Sequence, residues 1–470
     1  MHRMQGSAVS MAAMFVAVFL LYTNLPVVLA QGGMLPAAAA GIPLALMAVA
    51  AGHQLLIMRR PLIVDRTLLL ALGLLCVFVV STLNAVGYDV AIDRIVVFVT
   101  EGIVVYLLVR NAVRTRTELR AAMASMLLAA ALLATLTTIQ NVTDNYDQEF
   151  MGLAQRSYGD PNARSAETIN LEDRARGPVD EPNRFAQVLL MAAPVGFILA
   201  RNARRTRGRV AAATGMLLAL GGVLLTYSRG AFVTLVILML LAVPMKLLRL
   251  RGLVMTGAAA IVIMFVVVPG YVARVVSIAG VADLLGTGPA TVEADGPTRG
   301  RTTEMLAALA AYLDHPVIGV GPGQYVVFHS QHYQSLPEIS IRDLTEPRRA
   351  HNLYLEMAAE TGTVGLLVFM AIPLLLLRDL EVLRRYSWTR SPERAWLAAS
   401  FALVILSYLG TGVFLHLAYE RYYWFMIGLA AATVGILREE LSLMPETKVA
   451  DVHADTGRLT PATHGDAWAC

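Results

Sequence analysis

The stretch "RTLLLALGLLCVFVVSTLNA", residues 66–85, decides the fold. Its single charge stands at the first position, and the 19 residues that follow are uncharged. A helix of about 20 apolar residues is long enough to cross the hydrocarbon core of a bilayer. The whole chain shares this character, with 57% hydrophobic residues, 15% charged residues and a mean hydropathy of +0.60. Ordinary soluble proteins carry about 25% charged residues, so the sequence indicates a membrane protein.

Similar apolar runs recur along the 470 residues. They predict an all-α polytopic membrane protein with about twelve transmembrane helices. The predicted spans are residues 8–30, 34–57, 66–85, 92–109, 121–140, 185–200, 210–227, 231–247, 253–269, 363–377, 396–416 and 421–437. The first run ends in "VLAQ", which resembles a signal-peptidase site, but it is longer than a usual signal segment. We therefore expect it to be retained as a span.

Positive charge predicts the orientation of these spans. Every second loop is basic, and together these loops hold 20 lysines and arginines. The four short loops of opposite parity hold three, namely Arg94, Arg229 and Arg421. Because basic loops stay in the cytoplasm, we expect both termini inside and the segments 141–184 and 270–362 outside.

This topology predicts six parts of the chain. They are helices 1–5 in 1–140, a first periplasmic loop in 141–184, helices 6–9 in 185–269, a large periplasmic loop with short helices in 270–362, helices 10–12 in 363–437, and a disordered cytoplasmic tail in 438–470. The net charge of +4 follows from the basic loops, so it does not indicate nucleic-acid binding. Two cysteines, Cys76 and Cys470, imply no disulfide framework.

Three arginines on the predicted outer side are candidate ligands of an anion, because the positive-inside rule makes arginine scarce there. Arg229 lies at the tip of a helical hairpin in "LLTYSRGAFVTL", and it either snorkels beside a glycine or binds an anion. Arg176 lies in "RARGPVDEPNRFAQVLL", where the turn-forming Asn183 helps to fix the backbone before the next span. Arg301 lies near the start of a predicted amphipathic helix that ends at His315.

The most polar cluster is "RRAHNLYLEMAAETG", residues 348–362, directly before a predicted span. Asn352 is a candidate N-cap, which places His351 at the positive end of a helix and favours its neutral form. A neutral histidine is a competent general base near pH 7, although it could also only cap the helix. Arg348 and Arg349 precede it. Glu356 and Glu360 share a helical face with Asn352, and we expect them to pair with arginines elsewhere.

These residue types suit one kind of chemistry. The sequence has no nucleotide-binding loop, no H-E-x-x-H zinc motif and no C-x-x-C pair. Arginine pairs with diphosphate oxygens bidentately and keeps its charge. An acceptor hydroxyl needs a base, whereas a diphosphate leaving group needs charge stabilisation. Several arginines and one histidine therefore suit glycosyl transfer from a lipid diphosphate, although a transporter of an anionic lipid would also use external arginines.

The sequence resembles the O-antigen ligase and polysaccharide polymerase superfamily of bacterial envelopes. The resemblance runs in order through "RGPVDEPNRFA", "SRGA", "GRTTEMLAAL" with "DHPVIGVGPGQY", and "HNLYLEMAAETGTVGLL". It covers most of residues 175–377 and departs at Met305, where such proteins often have tryptophan.

The resemblance implies that an inverting transfer without metal or cofactor moves a glycan from undecaprenyl diphosphate on the periplasmic face of the inner membrane. His351 would activate a hydroxyl of the lipid A core. Arginines matching Arg176, Arg229 and Arg301 would hold the diphosphate, and Arg348 and Arg349 would assist them. Asn183, Asn352, Glu356 and Glu360 would support the site.

Two other functions stay open at this point. A polymerase would join repeat units on the same lipid carrier, with a growing polysaccharide as acceptor. A transporter would be expected to show broken helices or polar residues near the midplane of the bilayer. Charge within the predicted spans is sparse, with Asp93, Arg94 and Glu101 the main exceptions.

Overall fold

The computed structural model describes residues 7–157, 174–255, 257–258, 296–341, 347–416 and 419–442. This part of the chain is mostly helical, as the apolar runs predict. Its strands are the two-residue pair β1 (Arg156–Ser157) and β2 (Arg174–Ala175), which are antiparallel. The prediction of an all-α membrane protein is consistent with this content.

The helices follow one another through short connections. In chain order they are α1 (Ala8–Thr23), α2 (Leu25–Gln31), α3 (Ile42–Gly52), α4 (Arg66–Ser81), α5 (Tyr88–Val97), α6 (Val105–Ala112), α7 (Arg116–Thr143), α8 (Pro182–Arg201), α9 (Thr206–Leu225), α10 (Arg229–Ala242), α11 (Gly296–Asp314), α12 (Ser330–Gln334), α13 (Leu353–Ser387), α14 (Pro392–Gly412) and α15 (Arg421–Ser442). Short 3₁₀ or π segments extend α3 to Ala37–Ile57 and α4 to Asn84, and a π segment, Phe98–Val104, joins α5 to α6.

Six helices of the described part are long and apolar enough to cross a membrane, and the pair α1 and α2, bent by 50°, makes a seventh. The six are Ala37–Ile57, Arg66–Asn84, Arg116–Thr143, Pro182–Arg201, Thr206–Leu225 and Pro392–Gly412. Of the other predicted spans, 92–109, 231–247, 363–377 and 421–437 also overlap helices, whereas 253–269 lies largely outside the described residues. Most of the predicted tail lies outside them too. The count of twelve spans stays a prediction.

Close contact between small residues holds the bundle together. Gly222 of α9 faces α7 and α8, where an added Cβ would lie 2.8 Å from Leu189 Cδ1 and 2.9 Å from Ala134 Cβ. Such a distance allows no side chain, so only glycine lets the backbones approach. Lipid tails are as apolar as the helix surfaces, so close packing of this kind drives helix association in membranes.

A loop at one end of the bundle positions the candidate site. We call residues 315–324 the bridge segment. Its carbonyls accept hydrogen bonds from the end of α4, from Ser81 Oγ to Ile318 O (2.6 Å) and from Asn84 Nδ2 to Gly319 O (2.9 Å). On its other side, Val320 N donates to Ala359 O of α13 at 2.9 Å. The bridge segment therefore ties α11, which precedes it, to two membrane helices.

Candidate active site

His351 lies directly before α13, and the start of this helix is firmly anchored. Asn352 Oδ1 accepts hydrogen bonds from the backbone N–H groups of Tyr354 and Leu355, both at 3.0 Å. Asn352 Nδ2 donates to Val413 O at 3.1 Å. The prediction that Asn352 is the N-cap is confirmed. His351 itself has φ +46°, a left-handed conformation that costs a non-glycine residue about 1–2 kcal/mol. Such strain is common at functional sites.

A carboxylate from α11 faces the imidazole of His351. Glu304 Oε2 lies 3.6 Å from His351 Nε2, and Glu304 is only 3% exposed. Sequence reasoning missed this residue. A signal existed, because Glu304 follows the predicted site residue Arg301 by three positions and therefore shares its helical face. Among the described residues His351 Nδ1 has no hydrogen-bond partner. A proton held at Nε2 towards Glu304 would leave the buried Nδ1 with a free lone pair, which can act as a base towards a group that reaches it.

The pKa of His351 is lowered to about 3. The largest cause is burial, and the positive charges of Arg301, Arg348 and Arg349 follow. Burial and nearby cations both disfavour the imidazolium, and the Glu304 carboxylate does not reverse this. The neutral imidazole expected from the helix terminus is thus present, but burial and arginines are its main causes.

A second histidine, His416, packs against the first. The two ring centroids are 5.1 Å apart at an interplanar angle of 82°. Burial, with Arg349 and His351 as further causes, holds the pKa of His416 well below its usual value. Its Nδ1 has no hydrogen-bond partner within the described ranges. The sequence prediction missed His416 because it was assigned to the end of an apolar span.

Arg348 and Arg349 differ in exposure. Arg348 is exposed, and its backbone N–H donates to Ser330 Oγ at 3.1 Å. Arg349 is half-buried, and its Nη1 lies 3.9 Å from Glu356 Oε1. Arg301, on α11, acts on His351 from another side. The structure therefore brings three of the five predicted arginines around His351.

Glu356 and Glu360 lie beneath this group, in the first turns of α13. They are 5% and 1% exposed. Burial raises the pKa of Glu356 to about 8 and also raises the pKa of Glu360. The sequence predicts that both carboxylates pair with arginines elsewhere in the chain. Glu356 instead faces Arg349 of its own segment. Glu360 accepts a hydrogen bond from Tyr419 Oη at 2.7 Å. Arg94 of α5 acts on both carboxylates, and sequence reasoning did not assign it to the site.

Arg229 begins α10, next to the segment that carries His416. The N-cap of α10 is Ser228. Gly230 packs against Phe414 so tightly that an added Cβ would lie 2.5 Å from Phe414 Cδ2. Phe414 precedes His416 by two residues, so the half-buried Arg229 begins its helix near the segment that carries His416.

Arg176 and Asn183 are placed by contacts of a different kind. Arg176 N donates to Gln155 O at 3.0 Å, and among the described residues its buried Nε has no hydrogen-bond partner. Asn183 Oδ1 accepts a hydrogen bond from Arg174 Nη2 at 3.0 Å, and Arg174 Nε donates to Thr226 O at 2.8 Å. These contacts tie Asn183, through Arg174, to the tip of the α9–α10 hairpin, and they tie Arg176 to the residue before β1. None of them involves His351.

The described residues thus define a polytopic helical membrane protein with a neutral histidine and several arginines at one end of its bundle. A comparison with known families adds a second observation: the model of the O-antigen ligase family matches residues 214–370. The resemblance to the O-antigen ligase superfamily is therefore confirmed. The match includes Arg229, Arg301 and His351 but leaves Arg176 and Asn183 outside. No curated protein matches the sequence.

Proposed function

We propose that the protein is a glycosyltransferase of the O-antigen ligase type. It moves a glycan from undecaprenyl diphosphate to a sugar hydroxyl of the lipid A core, on the periplasmic face of the inner membrane. The observation that carries this proposal is the neutral His351 imidazole among Arg301, Arg348 and Arg349. The family match over residues 214–370 supports a function of the ligase or polymerase type in general.

The proposed reaction is a single displacement. His351 Nδ1 accepts the proton of the acceptor hydroxyl while the hydroxyl oxygen bonds to the anomeric carbon of the donor. The bond between that carbon and the diphosphate oxygen breaks, and the electron pair leaves with undecaprenyl diphosphate, so the anomeric configuration inverts. Arg301, Arg348 and Arg349 stabilise the charge that develops on the leaving group. Arg229 and Arg176 hold the diphosphate from the neighbouring hairpin and loop.

Because of the nearby arginines, the base strength of His351 depends on whether the donor is bound. With a pKa of about 3, the imidazole is a weak base. A bound diphosphate brings negative charge to the arginines, which offsets the field that lowers this pKa. The pKa of His351 therefore rises towards neutrality when the donor binds, and base strength is highest in the complex that reacts. The imidazolium formed in the transition state then faces the Glu304 carboxylate at Nε2.

The test begins with deletion of the gene and a surface-glycan ladder. A lost ligase leaves bare core, and long chains accumulate on the lipid carrier. A lost polymerase instead leaves core that carries one repeat unit, and an unchanged ladder contradicts both functions.

Complementation with His351→Ala tests the base. We expect transfer to fall by about 10²- to 10⁴-fold, the contribution typical of general acid–base catalysis, at normal protein levels in the membrane. His332→Ala is the matched control, because His332 is an exposed histidine of the same outer loop. Wild-type glycan output from His351→Ala would remove the general-base role.

A further inference from the structure

A groove lies at the end of the bundle opposite His351. It runs between α7, α8 and α9 where α7 begins and where α8 connects to α9, and its volume is about 630 Å³. Its walls are largely apolar, formed by side chains such as Leu119, Met123, Leu127, Leu128 and Leu199. Its lining also includes Gly208 and Gly215 of α9, which leave room between the helices.

The mouth of the groove is basic. It is lined by Arg116, Arg120, Arg204 and Arg205. An adjoining polar cavity of about 390 Å³ is also lined by Arg116, Arg120 and Arg204. That cavity adds Arg394 and two carboxylates, Glu393 and Glu440. Five arginines thus face two glutamates across the two connected spaces.

The two carboxylates leave part of this positive charge uncompensated. Glu440 is shared between Arg116, at 2.5 Å, and Arg394, at 2.7 Å. Arg120 and Arg204 are exposed, and within the described ranges neither has an ion pair. An anion that enters the mouth of the groove therefore meets two guanidinium groups that no carboxylate occupies.

Two neighbouring side chains place this mouth at a membrane–water boundary. The Arg201 guanidinium lies over the Trp396 ring, 3.9 Å from its centroid, and tryptophan is enriched at the headgroup level of bilayers. Asn202 lines the groove, and its buried Oδ1 has no hydrogen-bond partner within the described ranges. An amide oxygen there can accept a hydrogen bond from a headgroup hydroxyl.

We propose that this groove binds an anionic glycerophospholipid of the surrounding leaflet. An acyl chain lies along the leucines of α7 and α8, and the phosphate lies between Arg120 and Arg204. Basic pockets between membrane helices are known to bind anionic headgroups. A zwitterionic lipid fits less well, because its ammonium group would face the same arginines. The site is distant from His351, so the proposal does not depend on the proposed transfer reaction.

Lipid binding to the purified full-length protein tests the proposal. Phosphatidylglycerol and phosphatidylcholine are added separately in detergent, and retention is followed by native mass spectrometry and by thermal stability. We expect phosphatidylglycerol to bind at a defined stoichiometry and to raise Tm, and phosphatidylcholine to do neither. In Arg120→Gln/Arg204→Gln, binding weakens by about 30-fold, since each arginine near an anionic lipid contributes about a factor of five.

The matched control is Arg207→Gln/Arg209→Gln. It removes the same charge from exposed residues of α9 that do not line the groove, so its lipid binding stays that of the wild type. An equal loss in both double variants would overturn the proposal in favour of a diffuse basic surface. Equal stabilisation by phosphatidylcholine or by inorganic phosphate would also overturn it.

Discussion

At the scale of single residues, the contact between His351 and Glu304 determines which ring nitrogen of the proposed base accepts the proton. A carboxylate at Nε2 favours the tautomer with the proton on that nitrogen, which leaves Nδ1 as the acceptor. Arg301 and Glu304 lie one helical turn apart, so α11 both lowers the pKa of His351 and stabilises the cation that forms when it accepts a proton.

Glu304→Gln tests this positioning role. The amide keeps the shape but loses the charge, so the imidazolium loses the attraction of a carboxylate oxygen that lies 3.6 Å from Nε2. We expect kcat to fall about 10- to 100-fold while KM for the donor is unchanged. Transfer by purified enzyme with a lipid-linked donor measures both. Glu338→Gln, at an exposed carboxylate of the same loop, is the control, and a change only in KM would contradict the role.

Arg349→Gln tests the charges that lower the pKa of His351. The base works only when neutral, so kcat/KM is lost as pH falls through the pKa of the free enzyme. That pKa is about 3 in the wild type, and removal of one cation raises it towards 6.5. We therefore expect the acidic limb of the pH profile to move to higher pH. The measurement is kcat/KM from about pH 2.5, below the wild-type pKa, up to about pH 8.

Arg229→Gln serves as the control for this pH shift. Arg229 is not among the causes of the pKa shift of His351, although it belongs to the proposed diphosphate site. Its substitution is expected to lower kcat/KM at every pH and to leave the acidic limb in place. Superimposable profiles for Arg349→Gln and the wild type would show that Arg349 does not control this pKa.

At the scale of elements, α13 shows what local sequence can and cannot predict. Its start was predictable, because Asn352 carries a side chain that caps a helix by itself. Gly362 leaves the helical conformation at φ +66°, but the helix resumes and runs to Ser387. The N–H groups of Thr363 and Val364 donate to Pro316 O and Val317 O of the bridge segment. Such partners are distant in the chain, so local rules do not reveal them.

The same reasoning applies to the site. The predicted cluster of His351 and its arginines follows from their order along one segment. Glu304, His416 and Arg94 come from three other elements and reach the site only through packing. Glu304 alone carries a local signal, its spacing of three residues from Arg301. Nothing in the sequence around His416 or Arg94 indicates that these residues join the site.

At the scale of the whole molecule, hydropathy identified the helices but not their arrangement. Eleven of the twelve predicted spans overlap helices of the described part. The faces that pack together could not be predicted, because a membrane helix is apolar towards lipid and towards protein alike. The pairing of α8 with α9 depends instead on small residues such as Gly196 and Gly222, which permit close approach.

Orientation in the membrane is a prediction of the whole chain, since it depends on the difference in positive charge between alternate loops. It is tested in a variant in which Cys76→Ser and Cys470→Ser remove both native thiols, with one new cysteine added at a time. We expect a membrane-impermeant maleimide to label Glu338→Cys in intact spheroplasts, because residue 338 is exposed in the predicted periplasmic loop. Arg207→Cys, exposed in the first turn of α9, should react only after the membrane is permeabilised. The reverse pattern would place His351 in the cytoplasm, where the proposed periplasmic transfer could not occur.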